Sequence, residues 1–229
     1  MNRRDFSVAI GAFLSASPVF AQLGGLKNPL GNKDKDKSAG SWSEVADKYL
    51  GAKKSFVGEL STQTNVKALI AEALDLQSEA EVLRAEAQNI SDKGDALGSG
   101  DLDEVSKKTD AADLLVNEKL ASAEELSDEQ KGKLAEAAAT HVPSMIRGIG
   151  TATSLKAIAD DASNLGTPSF TDGTKVINAA KEIPSLVPAM INFTVSSTQS
   201  GISLLSALDS KGVAVPDQSE LDQSFEDFV

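Results

Sequence analysis

The stretch IPSLVPAMINFTVSSTQSGISLLSAL, residues 183–208, contains no charged side chain. Its length would let a helix cross a bilayer, which takes roughly 20 residues. Asn192, Thr194, Ser196, Ser197, Thr198, Gln199 and Ser200 lie in its middle, however, and that polarity makes insertion unfavourable. The stretch therefore predicts the buried central helix of a bundle. Pro184 and Pro188 fit its entrance, where a missing backbone N–H costs little, with Ser185 as cap. Gly212, just past Lys211, fits its exit. The many Ser, Gly and Ala residues permit close helix approach, and buried hydroxyls can bond back to their own helix.

Working outward, other segments repeat a helical period. Trp42, Val45, Ala46, Tyr49, Ala52, Phe56, Val57 and Leu60 recur at steps of three and four, behind a Ser41–Glu44 capping box. A second apolar face runs from Val66 through Leu69, Ile70, Ala73, Leu76, Ala80, Leu83 and Ala87 to Ile90, with Glu72, Glu79, Glu81 and Arg84 toward water, and stops before Lys93-Gly94. A third helix is expected from Asp101, capped with Glu104, and a fourth from Ser127, capped with Gln130. Pro143 should bend or end the fourth, because a proline inside a helix costs on the order of 3 kcal/mol. Gly148-Ile149-Gly150 reads as a turn, and Thr151 as the cap of a further helix ending at Gly166. After Val213 comes an acidic tail, in which Ser219 and Asp222 can start a short helix carrying Leu221, Phe225 and Phe228. No repeat suggests a solenoid. The fold class expected is all-α, an antiparallel bundle of about five or six helices around one core.

The N-terminal segment has a different character. Arg3 and Arg4 precede Asp5 and Phe6, and an apolar run extends from Val8 to Phe20. Val19 and Ala21 are the small residues that precede a cut near Gln22. This segment resembles a twin-arginine export signal, departing from the usual pattern at Asn2 and Ser7. The resemblance covers residues 1–21 and implies a periplasmic or secreted protein of bacterial or related origin, by a folded or an unfolded route. Residues 22–40, with Gly24, Gly25, Pro29, Gly31 and the alternating Lys33–Lys37 run, read as a flexible tether. The expected organisation is thus signal 1–21, tether 22–40, bundle 41–212 and tail 213–229.

Composition narrows function mainly by exclusion. The chain has 229 residues and no cysteine, so packing must stabilise it without disulfides. Its formal charge is −12, and loss of residues 1–21 reduces 22 basic and 34 acidic side chains to 20 and 33, for −13. Such a surface repels nucleic acid and anionic headgroups and favours solubility or basic partners. No basic stripe interleaved with aromatics is present.

Catalytic templates are scarce. His141 is the only histidine, and Ala137 and Ala138 stand where a metal-binding helix would place acidic residues, so it reads as structural or exposed. Glu79 and Glu86 read as a solvated face, as do the acidic residues at Asp101–Glu104, Glu124-Glu125 and Asp160-Asp161. In Asp92–Glu104, Gly94 and Ala96 occupy positions where a calcium loop needs oxygen ligands. Gly148–Thr153 lacks the strand and the Gly-Lys-Ser/Thr of a phosphate loop, and no Gly-x-Ser-x-Gly elbow occurs.

The expectation is a non-catalytic exported bundle, without cofactor or metal, that binds or scaffolds a protein partner. A homo-oligomer is compatible with it. The alternative is a carrier for a hydrophobic molecule such as a lipid. Its groove would be lined by the seven-residue stripe Trp42, Tyr49 and Phe56 together with Ile183, Leu186, Met190, Ile191 and Phe193.

Overall fold

The computed structural model describes residues 40–229, apart from the side chain of Phe170. The export signal and nearly all of the tether lie outside the described residues. Among these residues there are six α-helices and no strand: α1 (Trp42–Ala73), α2 (Gln77–Lys93), α3 (Ser99–Ser122), α4 (Asp128–Leu165), α5 (Gly173–Ser210) and α6 (Ser219–Phe228). None is long and apolar enough to cross a membrane.

Long-range bonds fix the topology. Gln63 meets Ser144, and Lys48 meets Asp161, so α1 and α4 run antiparallel. Lys53 meets Glu182, and Gln63 meets Ser197, so α5 runs parallel to α1. The α1–α2 and α2–α3 hairpins are pinned by the pairs Arg84–Glu72 and Lys93–Asp101. α6 packs back on α4, with Leu221 and Phe228 buried.

Two capping boxes form as the sequence predicts. Ser41 Oγ accepts from the Glu44 N–H at 3.3 Å, and Ser127 Oγ accepts from the Gln130 N–H at 3.2 Å. The third helix starts earlier than expected, at Ser99, where the Asp101 carboxylate accepts from the Gly98 N–H at 2.8 Å. Gly212 closes α5 in the left-handed conformation, φ 73°, which a glycine adopts without a Cβ clash.

Four sequence expectations are corrected. The first two apolar segments share one helix: α1 continues through Ser61–Asn65, and the chain turns at Leu74–Leu76 instead. Asp75 there has φ 62°, a conformation aspartate tolerates better than most residues. α4 continues through Pro143 and through Gly148–Gly150, so neither a break nor a turn occurs. α5 starts eleven residues before Pro184, and Ser185 bonds back to Glu182 O at 3.2 Å instead of capping. Finally, α5 is not buried all round. Pro184, Ser185, Pro188, Asn192, Ser196, Gln199, Ser203 and Ser206 are exposed along one side.

α1 holds the central position and packs against α2, α3, α4 and α5. The interior forms two apolar clusters, not one core. One gathers Val66–Ala73 of α1 and Leu74 just after it with Leu134 and Met145 of α4, Leu204–Leu208 of α5 and the α6 anchors. The other gathers Val45–Leu60 of α1 with Leu155 and Ile158 of α4 and Val176–Met190 of α5.

Candidate functional site

Buried polar side chains collect where these clusters meet. On α1 the apolar sequence is interrupted by Gln63 and Thr64, on α2 by Glu86, on α3 by Thr109, and on α5 by Thr194, Ser197 and Thr198, all buried. On α4 the buried polar residues are His141 and Ser144. Removing such groups from water is costly unless each finds a partner. Most do. Gln63 donates to Ser144 O at 3.3 Å and accepts from Ser197 Oγ at 3.0 Å, tying three helices together. Thr64, Thr109 and Thr194 bond back to carbonyls one turn earlier.

The layer also holds charge. Lys67 of α1, 5% exposed, donates to Asp113 Oδ2 of α3 at 2.6 Å. The same carboxylate oxygen accepts from Ser200 of α5. Toward the surface, Glu59 accepts from Ser144 Oγ at 2.9 Å and from Arg147 Nε at 2.7 Å. Glu86 is paired with Lys108 of α3, which corrects its reading as part of a solvated face. Glu72 and Arg84, both expected to face water, are partly exposed and pair with each other.

His141 is the exception. It is wholly buried, and neither ring nitrogen has a hydrogen-bond partner. Burial, with a smaller effect from Lys67, pushes its pKa down to about 3, so the ring is neutral. A neutral imidazole still carries one donor and one acceptor, and leaving them unmet costs free energy.

Two helical glycines shape this region. A Cβ on Gly148 would lie 2.9 Å from Gln63 Nε2. A Cβ on Gly201 would lie 2.3 Å from Met145 Sδ and 3.0 Å from His141 Nε2. Gly51, Gly58, Gly132 and Gly150 meet nothing within 4 Å. The two crowded glycines therefore mark close helix approach, and Gly148 serves packing where the sequence suggested a turn.

Two serine hydroxyls of this layer donate to carboxylates that also accept from a cation. The Ser144 hydroxyl is engaged by Glu59, and the Ser200 hydroxyl by an already paired Asp113. Among the described residues no group of three or more His, Asp or Glu side chains is placed to hold a metal ion.

The residues expected to line a hydrophobic groove do come together, all in the second cluster. Tyr49, Phe56, Ile183, Leu186 and Met190 are buried, and Trp42, Ile191 and Phe193 pack against them. They fill one another's space. Phe56 and Phe193 meet edge-to-face with ring centroids 6.3 Å apart, an attractive aromatic geometry. Trp42 Nε1 donates to Gly166 O at 3.1 Å, and Tyr49 OH donates to Glu182 at 3.0 Å. Burial and the Glu182 carboxylate push the Tyr49 phenol well above its usual range. Lys53, 2% exposed, donates to the same carboxylate at 2.8 Å.

Two open surface grooves lie elsewhere. One of about 470 Å3 runs between α1 and α4, along Gly51, Ser55, Thr151 and Ser154. Another of about 450 Å3 runs beside α2, along Lys54, Gly58 and Ser91. Comparison with known proteins finds no match: no protein family fits the chain, and no curated protein or solved structure is significantly similar to it.

Proposed function

We propose that the protein is exported and acts in the periplasm or outside the cell as a non-catalytic helical bundle that binds or scaffolds a protein partner. The observation that carries this reading is the outer side of α5. Ser185, Pro188, Asn192, Ser196, Gln199, Ser203 and Ser206 are exposed at steps of three and four residues, and none is charged. In a chain with 24% charged residues, a solvent-facing helical side of this length stands out. Burial within the bundle does not account for it. Depletion of charge is the compositional mark of the centre of a protein interface. The net charge of −12 favours a partner whose contact surface is uncharged in the middle and basic at its rim.

The alternative, a carrier for a hydrophobic molecule, has less support. It would require the packed cluster around Tyr49, Phe56 and Met190 to part. Native mass spectrometry of the exported protein, with and without denaturation, separates these readings. The scaffold reading expects a second polypeptide that S196E/S203E removes while the melting temperature stays unchanged. A lipid-sized adduct, indifferent to S196E/S203E and lost from a cluster variant such as M190A, would overturn it. Export has its own test: R3K/R4K should leave the protein in the cytoplasm if the twin-arginine route is used.

A further inference from the structure

The charges around His141 are lopsided. From α1 the cation of Lys67 bears on the ring, and the buried counter-charge of Lys67 is Asp113 of α3. From α5 the ring meets Gly201, and the nearby Ser197 and Ser200 hydroxyls are directed to Gln63 and Asp113. On α4 itself its neighbours one turn away are Ala137, Ala138, Met145 and Ser144, whose hydroxyl is directed to Glu59. The charged groups bearing on the ring are therefore Lys67 and its partner Asp113, while Glu86 pairs with Lys108 and Glu59 with Arg147 elsewhere in the layer. A protonated ring would be a second buried cation served by one carboxylate, with both N–H groups in need of acceptors. Water can reach them only if a helix moves.

The attachments indicate which helix yields. α1 and α4 are joined along their lengths by Lys48–Asp161, Glu59–Arg147 and Gln63–Ser144. The C-terminal half of α5 is attached to the layer by the Ser197 and Ser200 hydroxyls and by the close approach at Gly201, and beyond the layer by Leu204, Leu205 and Leu208 in the first cluster and by Lys211 Nζ, which donates to Ala123 O at 2.7 Å. The N-terminal half of α5 is separately held through Glu182 to Tyr49 and Lys53. We propose that His141 is an acid trigger, whose protonation unseats the C-terminal half of α5 from the α1–α4 pair at Gly201 and opens the polar layer.

The sign follows from linkage. A histidine held neutral by the closed bundle stabilises closure fully above its free range, near 6.5, and that contribution is lost as pH falls toward about 3. The chain has no other histidine, and free carboxylates titrate near 4. Side-chain proton uptake on opening between pH 7 and 5 is thus assigned to one ring.

Hydrogen exchange of the full chain at pH 7.5 and 5.0, corrected for intrinsic exchange rates, tests the trigger. Amides of residues 194–208 should open about thirtyfold more readily at pH 5.0 in the wild type. In H141L and H141Q the ratio should stay near one. An equal acid response in the variants, or none in the wild type, overturns the proposal. If neither variant folds, the single histidine Cε1–H resonance of the wild type decides. It should hold its neutral position until the α5 amides open and change with them, whereas titration near 6.5 with α5 still protected refutes the trigger.

Discussion

Gly201 and the exposed helical glycines test whether the polar layer is tightly packed. Gly132 and Gly150 lie inside α4 with open space around a prospective Cβ. Alanine there should stabilise the protein by up to about 1 kcal/mol, because it restricts the unfolded chain and favours helix. Gly201→Ala gains the same propensity but drives a methyl into Met145 and His141, both fully buried. Overpacking costs about 1–3 kcal/mol, so the net effect should be destabilising. Opposite shifts in the urea midpoint for G150A and G201A are expected, and parallel shifts would contradict the close approach. The pair at the other end gives a second residue-scale test. Glu182→Ala strands the ammonium of Lys53, which is 2% exposed, whereas Lys53→Met removes the charge with its burial cost. Loss of one partner of a fully buried pair costs about 3–5 kcal/mol, and the 43% exposure of the Glu182 side chain lowers the expectation to about 2 kcal/mol. K53M should lie within about 1 kcal/mol of wild type in the same urea titration.

At the scale of elements, α6 is where a short amphipathic motif becomes structure through docking. Ten residues make a marginal helix alone, but Leu221 and Phe228 enter the first cluster and anchor it on α4. Phe228→Ala should cost about 3 kcal/mol, while Glu226→Ala and Asp227→Ala should each change stability by less than about 0.5 kcal/mol. Thermal melts of the three variants check the contrast, and three equal shifts would mean that α6 is not docked through its apolar side. The Leu221, Phe225 and Phe228 spacing made this element legible in the sequence, as the Ser41–Glu44 and Ser127–Gln130 pairs did for the starts of α1 and α4. Two of the missed boundaries share one physical cause. Ser61–Asn65 and Gly148–Gly150 interrupt apolar periodicity, and an isolated segment gives no sign that its Gln or Gly has a partner on another helix. Gln63, Gly148 and Ser197 make sense only together, as one layer. His141 was equally opaque, since a single histidine between alanines and a proline looks the same whether exposed or sealed. The eight groove residues were legible as apolar neighbours, but not as a filled cluster, because periodicity reports which side is buried and not how completely it is packed.

For the whole molecule, the decisive relation is between two apolar clusters and the helices that thread both. α1, α4 and α5 contribute residues to each cluster, so neither can lose its packing at neutral pH without breaking helices that the other needs. The aromatic reporters make this testable, because Trp42 and Tyr49, the only tryptophan and tyrosine, both belong to the second cluster. Their near-ultraviolet signal follows that cluster alone, while far-ultraviolet circular dichroism follows helices throughout the chain. At pH 7.5 the two urea transitions should coincide, as a single cooperative unit requires. At pH 5.0 they should separate if His141 acts as proposed. The C-terminal half of α5 and the docking of α6 then give way first, reducing helical signal while Trp42 keeps its bond to Gly166 and its packed surroundings. Introducing H141L should bring the two acid curves together again. Separation already present at pH 7.5 would instead mean that the clusters are independent folding units and that the polar layer is a boundary whatever its protonation state.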